Sequence, residues 1–158
     1  TLQPEFLKAF LALVRTRGLT TLVDTNGSSR REILDELLPV MDGALVDLKA
    51  FKPELHRELT GADNDRVLEN IRYLAGIGKL HEVRTVVAPG YTDSPAAIRE
   101  IAGFLASVDR RVRFRLIRFR PLGVKGSAAG WRVPEDAVMD EMVRVARDEG
   151  LERVTRSL

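Results

Sequence analysis

TTLVDTNGSSRREILDELL, residues 20–38, followed at 43–50 by GALVDLKA, sets the architecture. Thr20 to Asp24 is a short β-favouring run that stops at Asn26-Gly27. Ser29 and Glu32 then stand at capping-box spacing ahead of Ile33, Leu34, Leu37 and Leu38, so a helix follows. Gly43 to Ala50 is again short and apolar, broken by charge only at Asp47 and Lys49. Strand, helix, strand, with no two-residue hairpin signal, calls for a right-handed crossover between parallel strands.

The same unit extends in both directions. Upstream, Pro4 to Arg17 places Phe6, Phe10 and Leu13 beside Leu7, Leu11 and Val14 at helical spacing, with Gly18 as a stop. Downstream, Pro53 opens a short helix, and Asn64 caps another carrying Val67, Leu68, Ile71 and Leu74, which Gly76 and Gly78 end. Glu82 to Ala88 reads as a strand and Ser94-Pro95 starts a helix through Ile98, Ile101, Ala102 and Leu105. Arg111 to Arg120 is the most extended segment, Pro134 to Glu149 a last helix, and a short tail follows Gly150. The class is α/β with a parallel sheet. Because DTNGSS lacks both G-x-G-x-x-G and G-K-[ST], a partial parallel (β/α) barrel fits better than a Rossmann or P-loop fold. Residues 1–158 are expected to form a single α/β domain. The chain opens on a helix with no strand before it and at Thr1 with neither an initiator methionine nor a signal segment, so it reads as a fragment lacking the first strands.

Composition narrows the function classes. The 158 residues suffice for one core and not two, and 44% hydrophobic with 30% charged residues matches a globular chain. No apolar run approaches the roughly 20 residues that cross a bilayer, so no membrane partner is expected. The expected location is cytoplasmic. The absence of cysteine excludes a disulfide scaffold, a thiolate zinc site, a cysteine nucleophile and an iron–sulfur cluster ligated within these residues. The net charge is only +2, yet eight of the 25 basic residues (Arg110, Arg111, Arg113, Arg115, Arg118, Arg120, Lys125 and Arg132) fall in one window without an acid. Such a window either solvates a strand end or meets an anionic partner. A non-catalytic α/β module that holds a phosphorylated ligand or nucleic acid through this window is a further alternative; nucleic acid is an unfavoured partner, since no RNA-binding motif accompanies the window, and steep weakening of polyanion binding by salt would indicate otherwise.

In parallel α/β folds ligands bind at the carboxyl ends of the strands. Those ends carry Asp24-Thr25-Asn26, Asp47 with Lys49, Arg84 with Val86, and Arg118 with Arg120. Residues two apart on a strand share a face, so two carboxylates and several cations converge on one rim. The set suits a zwitterion of amino-acid type; an Asp47–Lys49 ion pair that only pins neighbouring strands is the alternative. Along the last strand Arg111, Arg113 and Arg115 alternate with Val112, Phe114 and Leu116, and the parity flips at Ile117. This aims Arg118 and Arg120 at the site and the earlier arginines at solvent, unless a β-bulge at Leu116-Ile117 intervenes. His56 and His81 read as structural or solvated, and Trp131 either packs a loop or meets a ligand.

The wording and order of these strand ends resemble the radical S-adenosylmethionine (SAM) superfamily, most closely the glycyl-radical-enzyme activases of the pyruvate formate-lyase activating type. LVDTNGSSRR (22–31), ALVDLKAF (44–51), LTGADNDRVLENIRYLA (59–75) and VRTVVAPGYTDS (83–94) match in series, and LQPEFLKAF (2–10) looks like the segment after the family's GGEP motif. The resemblance runs from Leu2 to about Gly123. It implies the carboxyl-terminal portion of a (β/α)6-type barrel and reductive cleavage of SAM, by a [4Fe-4S] cluster ligated outside these residues, to a 5′-deoxyadenosyl radical. That radical would install a glycyl radical on a partner enzyme, or act on a peptide or small molecule, with a reductant such as flavodoxin or ferredoxin. By the same resemblance Asp24, Thr25 and Asn26 lie near the methionine and ribose portions of SAM. Asp24, Thr25 and Asp47 are a possible monovalent cation site, Lys49 and Arg84 meet the methionyl carboxylate, Val86 lies on the adenosyl side, and Arg120 joins the cofactor-binding set. No catalytic residue is assigned within these residues, and alone they are not expected to turn over. The C-x-x-x-C-x-x-C loop and the GGEP strand end are absent. Phe119-Arg120 stands where activases carry a tyrosine–histidine pair, so the substrate stays open.

Overall fold

Every strand-to-strand connection carries at least one helix, and every strand pairing is parallel. The computed structural model describes residues 3–124 and 126–158. Its strands are β1 (Leu22–Thr25), β2 (Gly43–Asp47), β3 (Leu80–Val87), β4 (Arg113–Arg118) and β5 (Arg153–Arg156), in the spatial order β1-β2-β3-β4-β5. Helix α1 (Pro4–Arg15) precedes the sheet. The crossovers contain α2 (Arg31–Leu37), then α3 (Pro53–Thr60) with α4 (Asp65–Gly76), then α5 (Pro95–Val108) and α6 (Asp136–Asp148). A sequential order joined by crossovers of one hand lays the crossover helices on one face and leaves the sheet open, with β1 and β5 as edges.

Side-chain alternation shows which face is covered. Val23, Ala44, Val46, Val83, Thr85, Val87, Phe114, Leu116 and Val154 are buried, whereas their strand neighbours Asp24, Arg113, Arg115, Arg153 and Thr155 are exposed. With period two, the first set faces the helices and the second the open side. Ile71, Leu74, Ile98, Ile101, Leu105, Met139 and Met142 supply the helix half of the core. Losing one such Leu side chain costs about 2–5 kcal/mol.

Local details depart from the sequence reading where tertiary contacts outbid propensity. The first strand runs two residues later than Thr20, because the Thr21 hydroxyl and N–H are committed to Asp42 and the Val40 carbonyl. Helix α2 starts one residue later than a Ser29 cap requires, with Arg30 as its N-cap. Asn64 is the N-cap residue of α4, yet its buried amide donates to the Ala50 and Phe51 carbonyls at 2.9 and 2.7 Å, so it ties α4 to the end of β2. Ser94 does cap α5, its Oγ accepting from the Ala97 N–H. The short tail is a strand: β5 pairs with β4 from Arg113↔Arg153 to Leu116↔Arg156. In α1, Leu11 is buried while Phe6 and Phe10 stack on each other in solvent, ring centroids 6.2 Å apart.

Candidate functional site

The open face is ordered in rows by parallel register. Asp24, Leu45 and Glu82 share one row, Asp47, Arg84, Arg115 and Thr155 the next, and Val86 with Ile117 a third nearer the carboxyl ends. The Arg84 guanidinium donates through Nη1 to Asp24 at 2.7 Å and through Nε to Glu82 at 2.8 Å. These partners, Glu82 foremost and then Asp24, raise the pKa of Arg84 against the opposing effect of desolvation. Just beyond β2, Lys49 Nζ donates to Asp47 Oδ2 at 2.6 Å, both side chains about one-third exposed. Asp24, Asp47, Lys49 and Arg84 therefore gather on one surface.

Thr25 and Asn26 lie off this cluster but stay beside Asp24, the three lining a smaller hollow of about 250 Å³ against Leu7 of α1 and Leu34 and Leu37 of α2. Thr25 is in register with Val46, whose side chain is on the helix-covered face. Its Oγ1 accepts from the Gly27 N–H, and the Asn26 carboxamide oxygen accepts from the N–H and hydroxyl of Ser28. Asn70, buried on α4, donates to the Gly27 and Ser29 carbonyls at 2.8 Å each and fixes this turn from below. Gly27 has φ +73°, and a Cβ there would lie 2.8 Å from Val46 Cγ1 and 3.0 Å from Val67 Cγ1. Only glycine satisfies both the left-handed backbone and the close approach.

A cavity of about 830 Å³ opens above the carboxyl ends of β2, β3 and β4, between Lys49, Val86, Ile117, Phe119, Arg120 and Trp131. Trp131 packs on Tyr91 and Phe119, with centroid separations of 4.9 and 5.5 Å. A hydrogen bond to the Glu58 carboxylate raises the Tyr91 phenol above its ordinary pKa and ties this aromatic wall to α3. Of the two readings open to Trp131, the structure shows the packing one, and the ring also lines the cavity. The wall was missed because Tyr91 and Trp131 belong to loops 40 positions apart, with no periodicity to link them.

The two arginine sets on β4 do face different ways, without a bulge. β3 and β4 stay in register from Val83↔Phe114 to Val87↔Arg118, and the sheet's irregularity lies instead between Ala44 and Leu45 on β2. Arg113 and Arg115 accordingly share the open face with Arg84, so the set expected to point away from the site lies on the face of the charged rim, and Arg118 has the parity of the buried Phe114 and Leu116. Arg118, also at the cavity, donates to the Pro134 carbonyl and to Asp136. Arg120 donates to the Leu158 carbonyl at 2.8 Å. Lys125 of the basic window lies outside the described residues. His56 is buried with Nδ1 2.9 Å from the Ala62 carbonyl, and among the described residues no three His, Asp or Glu side chains cluster for a metal.

Chemically, the rim can hold a zwitterion beside a flat apolar group. Asp24 and Asp47 suit an amine or sugar hydroxyl, Lys49, Arg84 and Arg120 a carboxylate, and Trp131 with Phe119 a ring system. These donors fit SAM. They do not fit an iron–sulfur cluster, whose irons need thiolates that the sequence lacks.

The class is an open, all-parallel α/β domain with polar strand ends beneath an aromatic cavity, the position at which parallel α/β folds bind ligands. Residues 1–102 match the model of the radical SAM superfamily, and the chain belongs to that superfamily, whose members use SAM and a [4Fe-4S] cluster. It is 34% identical over 124 residues to the pyruvate formate-lyase 1-activating enzyme of Escherichia coli, covering 77% of this chain and 50% of that protein. It is 33% identical over 162 residues to the isethionate sulfite-lyase activating enzyme of Desulfovibrio desulfuricans, covering 97% and 52%. The chain spans about half the length of the curated relatives it matches. Among solved structures, a domain of pyruvate-formate lyase-activating enzyme from Bacteroides vulgatus superposes with a TM-score of 0.86 at 26% identity, covering 99% of this chain and 92% of that one. Streptococcus suis SuiB bound to SAM shares the fold, with a TM-score of 0.74 at 14% identity, covering 96% and 36%.

Proposed function

We propose that residues 1–158 form one α/β domain that holds SAM across the ends of β2, β3 and β4, within a glycyl-radical-enzyme activase. The whole protein would cleave SAM reductively and install a glycyl radical on a partner enzyme, with its cluster ligated by cysteines outside these residues. A cytoplasmic location and a small electron-transfer protein as reductant belong to the same reading. The supporting observation is the continuity of the charged rim with the aromatic cavity. Lys49 borders both, so one ligand can place a carboxylate at Lys49 and Arg84 and a ring between Val86 and Trp131.

Each residue then has a physical task. Asp24 is largely exposed, at 61%, so its hold on Arg84 exchanges readily for a ligand carboxylate. Glu82, only 14% exposed, keeps the Arg84 guanidinium oriented during that exchange. Asp47 orients the Lys49 ammonium in the same way. Phe119 and Trp131 exclude water from the cavity wall.

Titration of SAM into the 158-residue chain, followed by the fluorescence of its sole tryptophan, tests the binding reading. Lys49→Ala and Arg84→Ala should each weaken binding at least tenfold while Arg113→Ala changes it less than twofold; equal effects would leave only a strand-pinning network. For the activity, a chain that also supplies the C-x-x-x-C-x-x-C loop, reconstituted anaerobically, should release 5′-deoxyadenosine, and its absence would refute the enzyme assignment.

A further inference from the structure

The open face carries like charges in direct register. Arg113 stands opposite Arg153, and one row on Arg84 stands opposite Arg115. Cross-strand pairs of like charge are destabilising unless a counter-charge lies between them. Arg84 has its counter-charges in Asp24 and Glu82. Among the described residues the other three have none at ion-pair distance. Arg113 meets only the His81 ring at 3.2 Å. Asp109 senses Arg153, but its carboxylate is held by Arg111. Arg113, Arg115 and Arg153 are all exposed. A charge that merely protected a sheet edge from pairing would account for Arg153 on β5, but not for Arg113 and Arg115 on the internal strand β4.

We infer that the open face of β4 and β5 is a docking surface for an extended acidic polypeptide segment with carboxylates at alternate positions. Residues two apart on a strand are about 6.6 Å apart, so Arg113 and Arg115 match an extended chain whose acidic side chains recur every second residue. Each guanidinium offers a planar fork to a carboxylate, and Arg153 supplies a third contact on the neighbouring strand. A peptide fits better than a nucleic acid because Asp24 on β1 and Asp47 on β2 occupy the far side of the same face and would repel a phosphate backbone that crosses it, whereas a segment lying along β4 avoids them and Glu82 is neutralised by Arg84. A parallel sheet is ordinarily covered on both faces, and a segment that covers this one must neutralise its guanidiniums.

The test uses the 158-residue chain and fluorescent (Glu-Gly)4 and (Lys-Gly)4 peptides, followed by anisotropy at low ionic strength. The acidic peptide should bind and the basic one should not. Arg113→Ala/Arg115→Ala should weaken the acidic peptide at least tenfold, Arg113→Lys/Arg115→Lys should recover part of that loss, and Arg66→Ala/Arg144→Ala, on helices α4 and α6, should change it less than twofold. Circular dichroism checks that each variant is folded. Equal loss in the helix variant would overturn the proposal. So would tighter binding of polyphosphate or single-stranded DNA of matched charge, or self-association of the chain that the same arginine variants abolish, since these assign the face to a phosphate polymer or to a second copy.

Discussion

Arg84 on β3 reaches past β2 to Asp24 on β1, with Nη1 and Oδ2 2.7 Å apart, although 60 positions separate the two in sequence. The contact works because β2 presents Leu45 and Asp47 to the open face on either side of its path, and because Glu82 steadies the guanidinium from its own strand.

The two ends of this contact should not cost the same when removed. Asp24→Ala should lower stability by less than about 1 kcal/mol, the usual value of an exposed ion pair. Arg84→Ala should cost about 1–3 kcal/mol, because it leaves the mostly buried Glu82 carboxylate without its donor. Urea unfolding of the two variants measures the difference, and equal costs would contradict the asymmetry.

The turn after β1 should be intolerant at Gly27. Gly27→Ala combines a left-handed backbone with a Cβ 2.8 Å from Val46, and overpacking alone costs about 1–3 kcal/mol. Asn70→Ala should act in the same direction, by freeing the Gly27 and Ser29 carbonyls. Thermal melts should show both variants well below the parent. A change of under one degree in both would show that the turn holds itself.

Acid should release one clamp between β1 and β2. The Thr21 N–H, then the Arg15 guanidinium and the Thr21 hydroxyl, lower the pKa of Asp42 from 3.8 to about 2. The folded state therefore takes up this proton less readily than the unfolded one, so the contribution is complete above about pH 4 and is lost as pH falls toward 2. Asp109 and Asp136 are also lowered, by Arg111 and Arg118, and contribute with the same sign. The stability gap between the parent and Asp42→Asn should close across that window; a gap that stays constant with pH would place the effect in packing.

The aromatic wall should matter for ligand and little for folding. Trp131→Ala should weaken SAM several-fold, since one aromatic contact is worth about 0.5–1.5 kcal/mol beyond its buried area, and Trp131→Phe should keep most of the affinity. Isothermal titration calorimetry with both variants checks this, and unchanged affinity in Trp131→Ala would remove the ring from the site.

Much of the fold was legible because its signals are local. Helices α1, α4, α5 and α6 follow from apolar spacing, Pro4 and Pro95 from the chemistry of a first turn, and the parallel sheet from helices between strands. β5 was not legible: Arg153–Arg156 has one buried side chain, Val154, and becomes a strand only because β4 offers it hydrogen bonds. Asn64 and Asn70 misled or stayed silent for a related reason. A buried carboxamide takes the carbonyls that packing brings to it, whatever local cap its position suggests.

By itself the sequence determined the class of fold, the strand ends on which charge collects and the absence of any thiolate for a cluster, because periodicity, turn residues and composition act within a few positions. Only the tertiary structure decided which charges meet. Register set Arg84 between Asp24 and Glu82, turned Thr25 toward the helices, put Arg113 and Arg115 on the open face, and built an aromatic wall from Tyr91, Phe119 and Trp131. The physical reason is that a strand's face is an alternation readable in one dimension, whereas its neighbour across the sheet is chosen by hydrogen bonds and packing between distant segments.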